Sequence, residues 1–364
     1  MGDALRSLLH FLKVLKQKLG KKKTHKSEAK PVRMPSPELP EDIYRQFSLA
    51  EVKAATNNFH QGSIIAEGGF GPVYRGAVND GTMVVALKRL RSRSLQGVTE
   101  FQNEVQLQCQ LRHPHLVSFI GFCHEDNEII LVYEYMSRGS LSYHLHREVY
   151  VPLGWKHRLQ ICIGAARGLH YLHTGVKHVV FHRDIKSSNI LLDDKWSVES
   201  GGTCGYLAPE YMLHGLLTEK SNVFSFGVLL FEVLRGRKVC DATLPKNQPY
   251  ILEWVIESVK EGTNYHVIDP YLKGTIAPEC FKQYLEIACS CVHYEGNKRP
   301  TIGEVEVMLE LALELQKQAD SIMESINPHG EYMYEEASFR ISVSDLDLYG
   351  YYYGSGCSSE TDSN

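Results

Sequence analysis

The sequence predicts an α+β fold of two lobes, a small β-rich lobe followed by a larger α-helical one. Residues 61–135 are rich in glycine and short β-branched runs, which reads as a small sheet with one helix near 98–110. From 138 to 317 apolar residues recur at helical spacing, in stripes near 155–173, 221–236, 278–293 and 301–317. A chain of 364 residues with 43% hydrophobic content can bury a core in each lobe and leave a cleft between them.

Residues 1–42 form a basic arm and a proline-rich linker. The first 33 residues hold ten Lys/Arg and two acidic side chains. Leu5, Leu8, Leu9, Leu12, Leu15 and Leu19 recur on one helical face, although Lys16 interrupts it, and Lys21, Lys22 and Lys23 follow. A basic amphipathic helix of this kind suits peripheral contact with an anionic membrane through residues 1–23. Met1-Gly2 permits myristoylation, but Arg6 stands where the motif wants a hydroxyl. Pro31, Pro35, Pro37 and Pro40 then keep the linker extended.

Residues 43–60 read as a short helical extension, opened by the capping box Ser48-Leu49-Ala50-Glu51 and closed by Thr56-Asn57-Asn58. The folded domain spans 61–317, divided at 136/137. Residues 318–364 are acidic and rich in Tyr, Ser and Gly, a composition expected of a disordered tail. Outside the two charged ends the chain is near neutral, which argues against nucleic-acid binding by the core. Nine scattered cysteines, mostly among apolar residues, read as reduced core thiols rather than a zinc site. No apolar run approaches the ~18 residues needed to span a bilayer, so the expectation is a cytoplasmic chain, at most peripheral to the plasma membrane.

Glu67-Gly68-Gly69-Phe70-Gly71-Pro72-Val73 is a glycine-rich turn between two candidate strands. Glycines there let backbone N–H groups approach phosphates that a Cβ would hold off, although a tight hairpin looks the same. Seventeen residues after Gly71, Lys88 sits on the strand Val85-Ala86-Leu87-Lys88. Glu104, in the helix that follows, could pair with it. The specific signal is Phe181-His182-Arg183-Asp184-Ile185-Lys186-Ser187-Ser188-Asn189-Ile190-Leu191-Leu192, the catalytic-loop signature of protein kinases, with Ala208-Pro209-Glu210 downstream. In that chemistry Asp184 orients the attacking hydroxyl and accepts its proton. Lys186 steadies the transferred phosphoryl charge, and Asn189 ligates Mg²⁺.

Residues 47–315 resemble plant receptor-like Ser/Thr protein kinases, and within them the FERONIA-like subfamily. Ala54-Ala55-Thr56-Asn57-Asn58-Phe59, His115-Leu116-Val117-Ser118-Phe119-Ile120-Gly121-Phe122-Cys123 and Ile163-Gly164-Ala165-Ala166-Arg167-Gly168-Leu169-His170 carry the likeness. The resemblance implies a bilobal kinase that uses ATP and Mg²⁺ and acts on protein substrates. It puts Val73, Ala86 and Leu191 around the nucleotide, Tyr133 at the back pocket and Met136 against adenine. Lys186 favours Ser/Thr over Tyr specificity. Lacking an ectodomain and a membrane span, the chain resembles the receptor-like cytoplasmic type.

The pattern breaks after Leu192. Asp184 and Glu210 lie 26 positions apart, against roughly 40 or more in the family, and no Asp-Phe-Gly occurs in the sequence. Arg183, which in the family pairs with a phosphorylated activation loop, has no such loop of ordinary length to read. Ala66 replaces the first glycine of the loop. Asn222 replaces an Asp that braces the catalytic loop, whereas Glu210 and Arg299 keep the ion pair that locks the large lobe. Three readings stay open: a shortened form of an ordinary kinase, a pseudokinase scaffold or nucleotide-binding module, and a weak kinase holding metal through Asn189 alone.

Overall fold

A computed structural model describes residues 44–68, 71–90, 101, 105–146, 152–177, 179–193, 205–241, 243–244, 250–328 and 333–341. The basic arm, Gly69, Phe70, Glu104, residues 194–204 and the end of the acidic tail lie outside the described residues. The chain divides into two compact units, Met1–Ser137 and Arg138–Asn364, which matches the expected bilobal α+β fold.

The small unit is a six-stranded sheet built from β1 (Arg45–Gln46), β2 (Ile64–Gly68), β3 (Gly71–Val78), β4 (Met83–Leu90), β5 (Phe119–Glu125) and β6 (Glu128–Glu134). Its order is β1-β5-β6-β4-β3-β2, and only the β1–β5 pair is parallel among the described strands. Strand alternation sends Val85 and Leu87 to one face and Ala86 and Lys88 to the other. On the first face helix α1 (Leu49–Ala55) packs Leu49 and Val52 against Tyr74, Val85, Leu87, Ile130 and Val132. The predicted capping box starts that helix: Glu51 N–H donates to Ser48 Oγ at 3.2 Å, and Ser48 N–H donates to Glu51 Oε2 at 2.8 Å. Thr56 ends it, and Asn57, Asn58 and Phe59 follow with φ near +50°. Residues 105–108 are helical, within the span expected for a helix near 98–110.

Among the described residues seven α-helices make the large unit: α2 (Leu141–His146), α3 (Trp155–His170), α4 (Pro209–His214), α5 (Glu219–Arg235), α6 (Ile251–Glu261), α7 (Pro278–Cys291) and α8 (Ile302–Ile326). Every residue of α5 from Ser221 to Leu234 is buried, as an all-round apolar helix at the centre of a core must be. A Cβ at Gly227 would lie 2.6 Å from Cys291 Cβ and 2.7 Å from Val292 Cγ1, so α5 and α7 meet closely only because that residue is glycine. Burial pushes the thiols of Cys162, Cys280, Cys289 and Cys291 up to about 12, in keeping with inert core cysteines.

The C-terminal boundary differs from the sequence expectation. Helix α8 runs to Ile326 rather than ending near 317, because Gln316 and Asp320 on its inner face find partners. Gln316 Oε1 accepts from Ala277 N–H, and Asp320 accepts from Lys156 Nζ at 2.7 Å. Residues 333–341, within the span expected to be disordered, pack Tyr334, Phe339 and Ile341 against the large-unit core.

Candidate functional site

Strand register gathers the expected nucleotide-facing residues of the small unit. Gly68 pairs with Gly71 at the tip of the β2–β3 hairpin, and Glu67 with Pro72. Ala66 pairs with Val73, Val73 with Lys88, and Lys88 with Leu131, which forms one row across the sheet. Two residues along β4, Ala86 pairs with Tyr133. Ala86, Lys88 and Val73 therefore share the face opposite the α1 core. Tyr133 and Met136 are both buried, and the Tyr133 ring meets Phe119 edge-on at 5.5 Å.

The catalytic loop lies in the large unit and is held at both ends. Downstream, Leu141 N–H donates to Ile190 C=O at 2.7 Å and Leu192 N–H to Gly139 C=O at 2.7 Å, with Leu191 opposite Ser140. Within the loop Asn189 Nδ2 donates to the backbone C=O and to Oδ2 of Asp184, each at 3.0 Å. Lys186 Nζ stands 3.4 Å from the same Oδ2. Lys186 and Asn189 thus both stand beside Asp184, which is buried.

Upstream the brace is Asn222. Arg183 adopts φ +77°, a left-handed conformation that costs a non-glycine residue roughly 1–3 kcal/mol unless its surroundings hold it. Its N–H donates to Asn222 Oδ1 at 3.2 Å, while Asn222 Nδ2 lies 3.0 Å from His173 Nε2. The amide that replaces the expected Asp still accepts the Arg183 hydrogen bond. Burial also lowers the Arg183 guanidinium to about 10.

His173 of this brace and the nearby His182 predict an acid-sensitive large unit. Burial pulls His173 down to about 4 and His182 to about 3, and neighbouring imidazoles add to both shifts. The unfolded chain takes up these protons near the ordinary value of about 6.5, so unfolding binds protons below that pH. Stability is expected to hold above about pH 6.5 and to fall as pH drops toward 4, by up to ~1.4 kcal/mol per pH unit for each histidine. Denaturant midpoints at pH 7.5 and pH 5 check this, and a His173→Gln chain should lose less over the same interval. Equal midpoints at the two pH values would contradict it.

Sequence reasoning missed a buried carboxylate hub. Glu232, 1% exposed, accepts from Ser187 Oγ at 2.6 Å and from the Tyr206 hydroxyl, and its Oε1 lies 3.2 Å from His146 Nε2. Burial and the Glu232 charge push the Tyr206 phenol far above its ordinary value. The hub ties the catalytic loop to the segment before Ala208-Pro209-Glu210. A lone Glu in the apolar run Leu229-Leu230-Phe231-Glu232-Val233-Leu234 was the available signal.

Arg299 and Glu210 form a bidentate pair at 2.8 and 2.9 Å. The remaining Arg299 donors go to the carbonyls of His293, Lys220 and Tyr294, and its guanidinium lies over the Phe224 ring. Ser221 Oγ also donates to Glu210. Burial opposes ionisation of Glu210, but Arg299 outweighs it, and the carboxyl sits below its ordinary value.

Mg²⁺ is normally bound through one or two carboxylates together with phosphate oxygens. Among the described residues no group of three or more His, Cys, Asp or Glu is placed to hold a metal ion. Asp184, the carboxylate of the loop, is engaged by Asn189 and Lys186. These donors fit the hydroxyl-orienting half of a phosphoryl-transfer site; of the metal-holding half they supply Asn189 and no second carboxylate.

Comparison with known proteins agrees with this geometry. The family described as protein kinase domain matches residues 59–308. Receptor-like protein kinase FERONIA of Arabidopsis thaliana is 49% identical over 303 residues, covering 78% of this chain and 34% of FERONIA. Receptor-like protein kinases ANXUR2 and ANXUR1 of the same plant are 46% and 45% identical, each match covering 76% of this chain and 35% of the relative. The chain thus spans about a third of the length of these relatives. Among the described residues no helix is long and apolar enough to cross a membrane.

Proposed function

Because the chain belongs to the protein kinases, and among them to the FERONIA-like receptor-like kinases, we propose that its scaffold serves transfer of the ATP γ-phosphate to Ser/Thr hydroxyls of proteins, and that in this form the transfer is weak or absent. One observation carries the second clause: 26 positions separate Asp184 from Glu210, and none of them supplies an Asp-Phe-Gly. Asp184 would orient the substrate hydroxyl and take its proton. Lys186 would steady the moving phosphoryl charge, and its place in the loop supports Ser/Thr specificity. Lys88 would reach the nucleotide phosphates from β4. When bound, Mg²⁺ neutralises charge between phosphates, and Asn189 is the residue of the loop left to hold it.

A second reading, a pseudokinase that binds partners without turnover, draws support from Asn222 and Ala66, since loss of one contiguous segment accounts for neither. In both readings the basic arm 1–23 is the part suited to an anionic membrane surface. Calorimetric titration of ATP with and without Mg²⁺ tests the proposal. The expected result is an ATP affinity that Mg²⁺ changes by less than about threefold. Tightening of about tenfold or more, equal to ~1.4 kcal/mol, would mean that the chain holds the metal and would overturn the proposed loss.

A further inference from the structure

Residues 333–341 do not merely drape over the large unit; the contacts they make are those of a bound peptide. Asn264, which is fully buried, clamps the backbone of Phe339 from both sides. Phe339 N–H donates to Asn264 Oδ1 at 3.1 Å, and Asn264 Nδ2 donates to Phe339 C=O at 2.5 Å. One residue earlier, Tyr265 N–H donates to Ser338 Oγ at 3.2 Å. Five residues before Phe339, Tyr334 N–H donates to Gly274 C=O at 2.9 Å, and its hydroxyl donates to Asp320 Oδ1 at 2.8 Å. The Phe339 ring lies against Phe281 at 6.1 Å.

Gly274 adopts φ +76°, and a Cβ there would fall 2.4 Å from Met333 Cε. The groove floor is therefore shaped to this segment as well as bonded to it. Main-chain hydrogen bonds supply affinity for any extended backbone, while side-chain contacts at fixed spacing supply sequence preference. Here the spacing is Tyr334 and Phe339, separated by four residues. None of these groups belongs to the catalytic loop or its brace.

We propose that the groove formed by Asn264, Tyr265, Gly274, Phe281 and Asp320 is a docking site for extended peptides carrying Tyr and Phe five positions apart, which the chain keeps occupied in cis with its own residues 333–341. A partner of that chemistry gains access when the segment detaches. The segment lies after the last helix and meets α7 and α8 through side chains, Phe281 and Asp320, so its release is expected to leave both helices folded. The assignment does not depend on phosphate transfer.

The test uses the full chain and a fluorescein-labelled peptide with the sequence of residues 333–341, read by fluorescence anisotropy. Tyr334→Ala/Phe339→Ala removes the segment's two aromatic anchors, freeing the groove for a peptide that keeps them, and Phe339→Ala alone serves if the double variant does not fold. The freed chain is expected to bind the peptide at least about tenfold more tightly than the unaltered chain. Asn264→Asp, which keeps size but replaces the donor to Phe339 C=O with a repelling carboxylate, should remove that gain in the freed background. Equal binding to freed and unaltered chains, no binding to the freed chain, or full binding after Asn264→Asp would each overturn the proposal. So would an unaltered chain that dimerises with rising concentration through the same Asn264 clamp, since the groove would then hold a second copy's segment.

Discussion

Inserting a family-length segment that carries Asp-Phe-Gly between Trp196 and Thr203 is expected to raise phosphate transfer by at least about a hundredfold. The size follows from the chemistry. Polarisation and charge neutralisation by a positioned metal contribute several kcal/mol to phosphoryl transfer, and each 1.36 kcal/mol is tenfold in rate. Asp-Phe-Gly is absent from the sequence, while Lys186 and Asn189 already stand within 3.4 Å of Asp184. The loop that carries them is tied down by Ile190–Leu192 on one side and by Asn222 on the other. An insertion therefore completes an existing arrangement. Initial rates of the extended and unaltered chains, compared at saturating ATP and Mg²⁺, read the effect. An extended, folded chain that is no faster would mean that the defect lies elsewhere, with Asn222 and Ala66 the remaining departures.

The second large effect is on stability. Glu210→Ala should lower it by about 3–5 kcal/mol, because it leaves the Arg299 guanidinium buried without its counter-charge. Arg299 is only 2% exposed, and the three carbonyls around it stabilise but do not neutralise it. In a unit of this size such a loss corresponds to a melting temperature lower by on the order of 10 °C. Glu210→Gln, which keeps an acceptor for Arg299 and for Ser221 Oγ, should lose distinctly less. Thermal unfolding of the two variants beside the unaltered chain decides the point. A Glu210→Ala chain within about 2 °C of the original would show that water replaces the carboxylate freely.

Features that depend on local sequence were legible before the structure. The Ser48–Glu51 capping box, the helical stripes and the β4 alternation each depend on residues within a turn or two of one another, so spacing alone located them. The convergence of Asp184, Lys186 and Asn189 was legible for the same reason: it arises within six residues. Groups brought together across long separations were not. Glu232 receives Ser187 and Tyr206 from 45 and 26 positions away, and only the oddity of a carboxylate in an apolar helix hinted at it. Residues 333–341 were misread because composition reports how little apolar surface a segment has to bury. It does not report whether a distant Asn264 or Gly274 offers its backbone a partner. Asn222 was seen as a departure, but its bond to the strained Arg183 became visible only in the fold.

The most direct test is phosphate transfer from labelled ATP by the unaltered chain, to itself and to a generic Ser/Thr protein substrate, in Mg²⁺ or Mn²⁺, beside Lys88→Met and Asp184→Asn chains. The predicted result is incorporation no higher than in the two variants. Incorporation that both variants abolish would show that the residues present complete a working site, and would contradict the account.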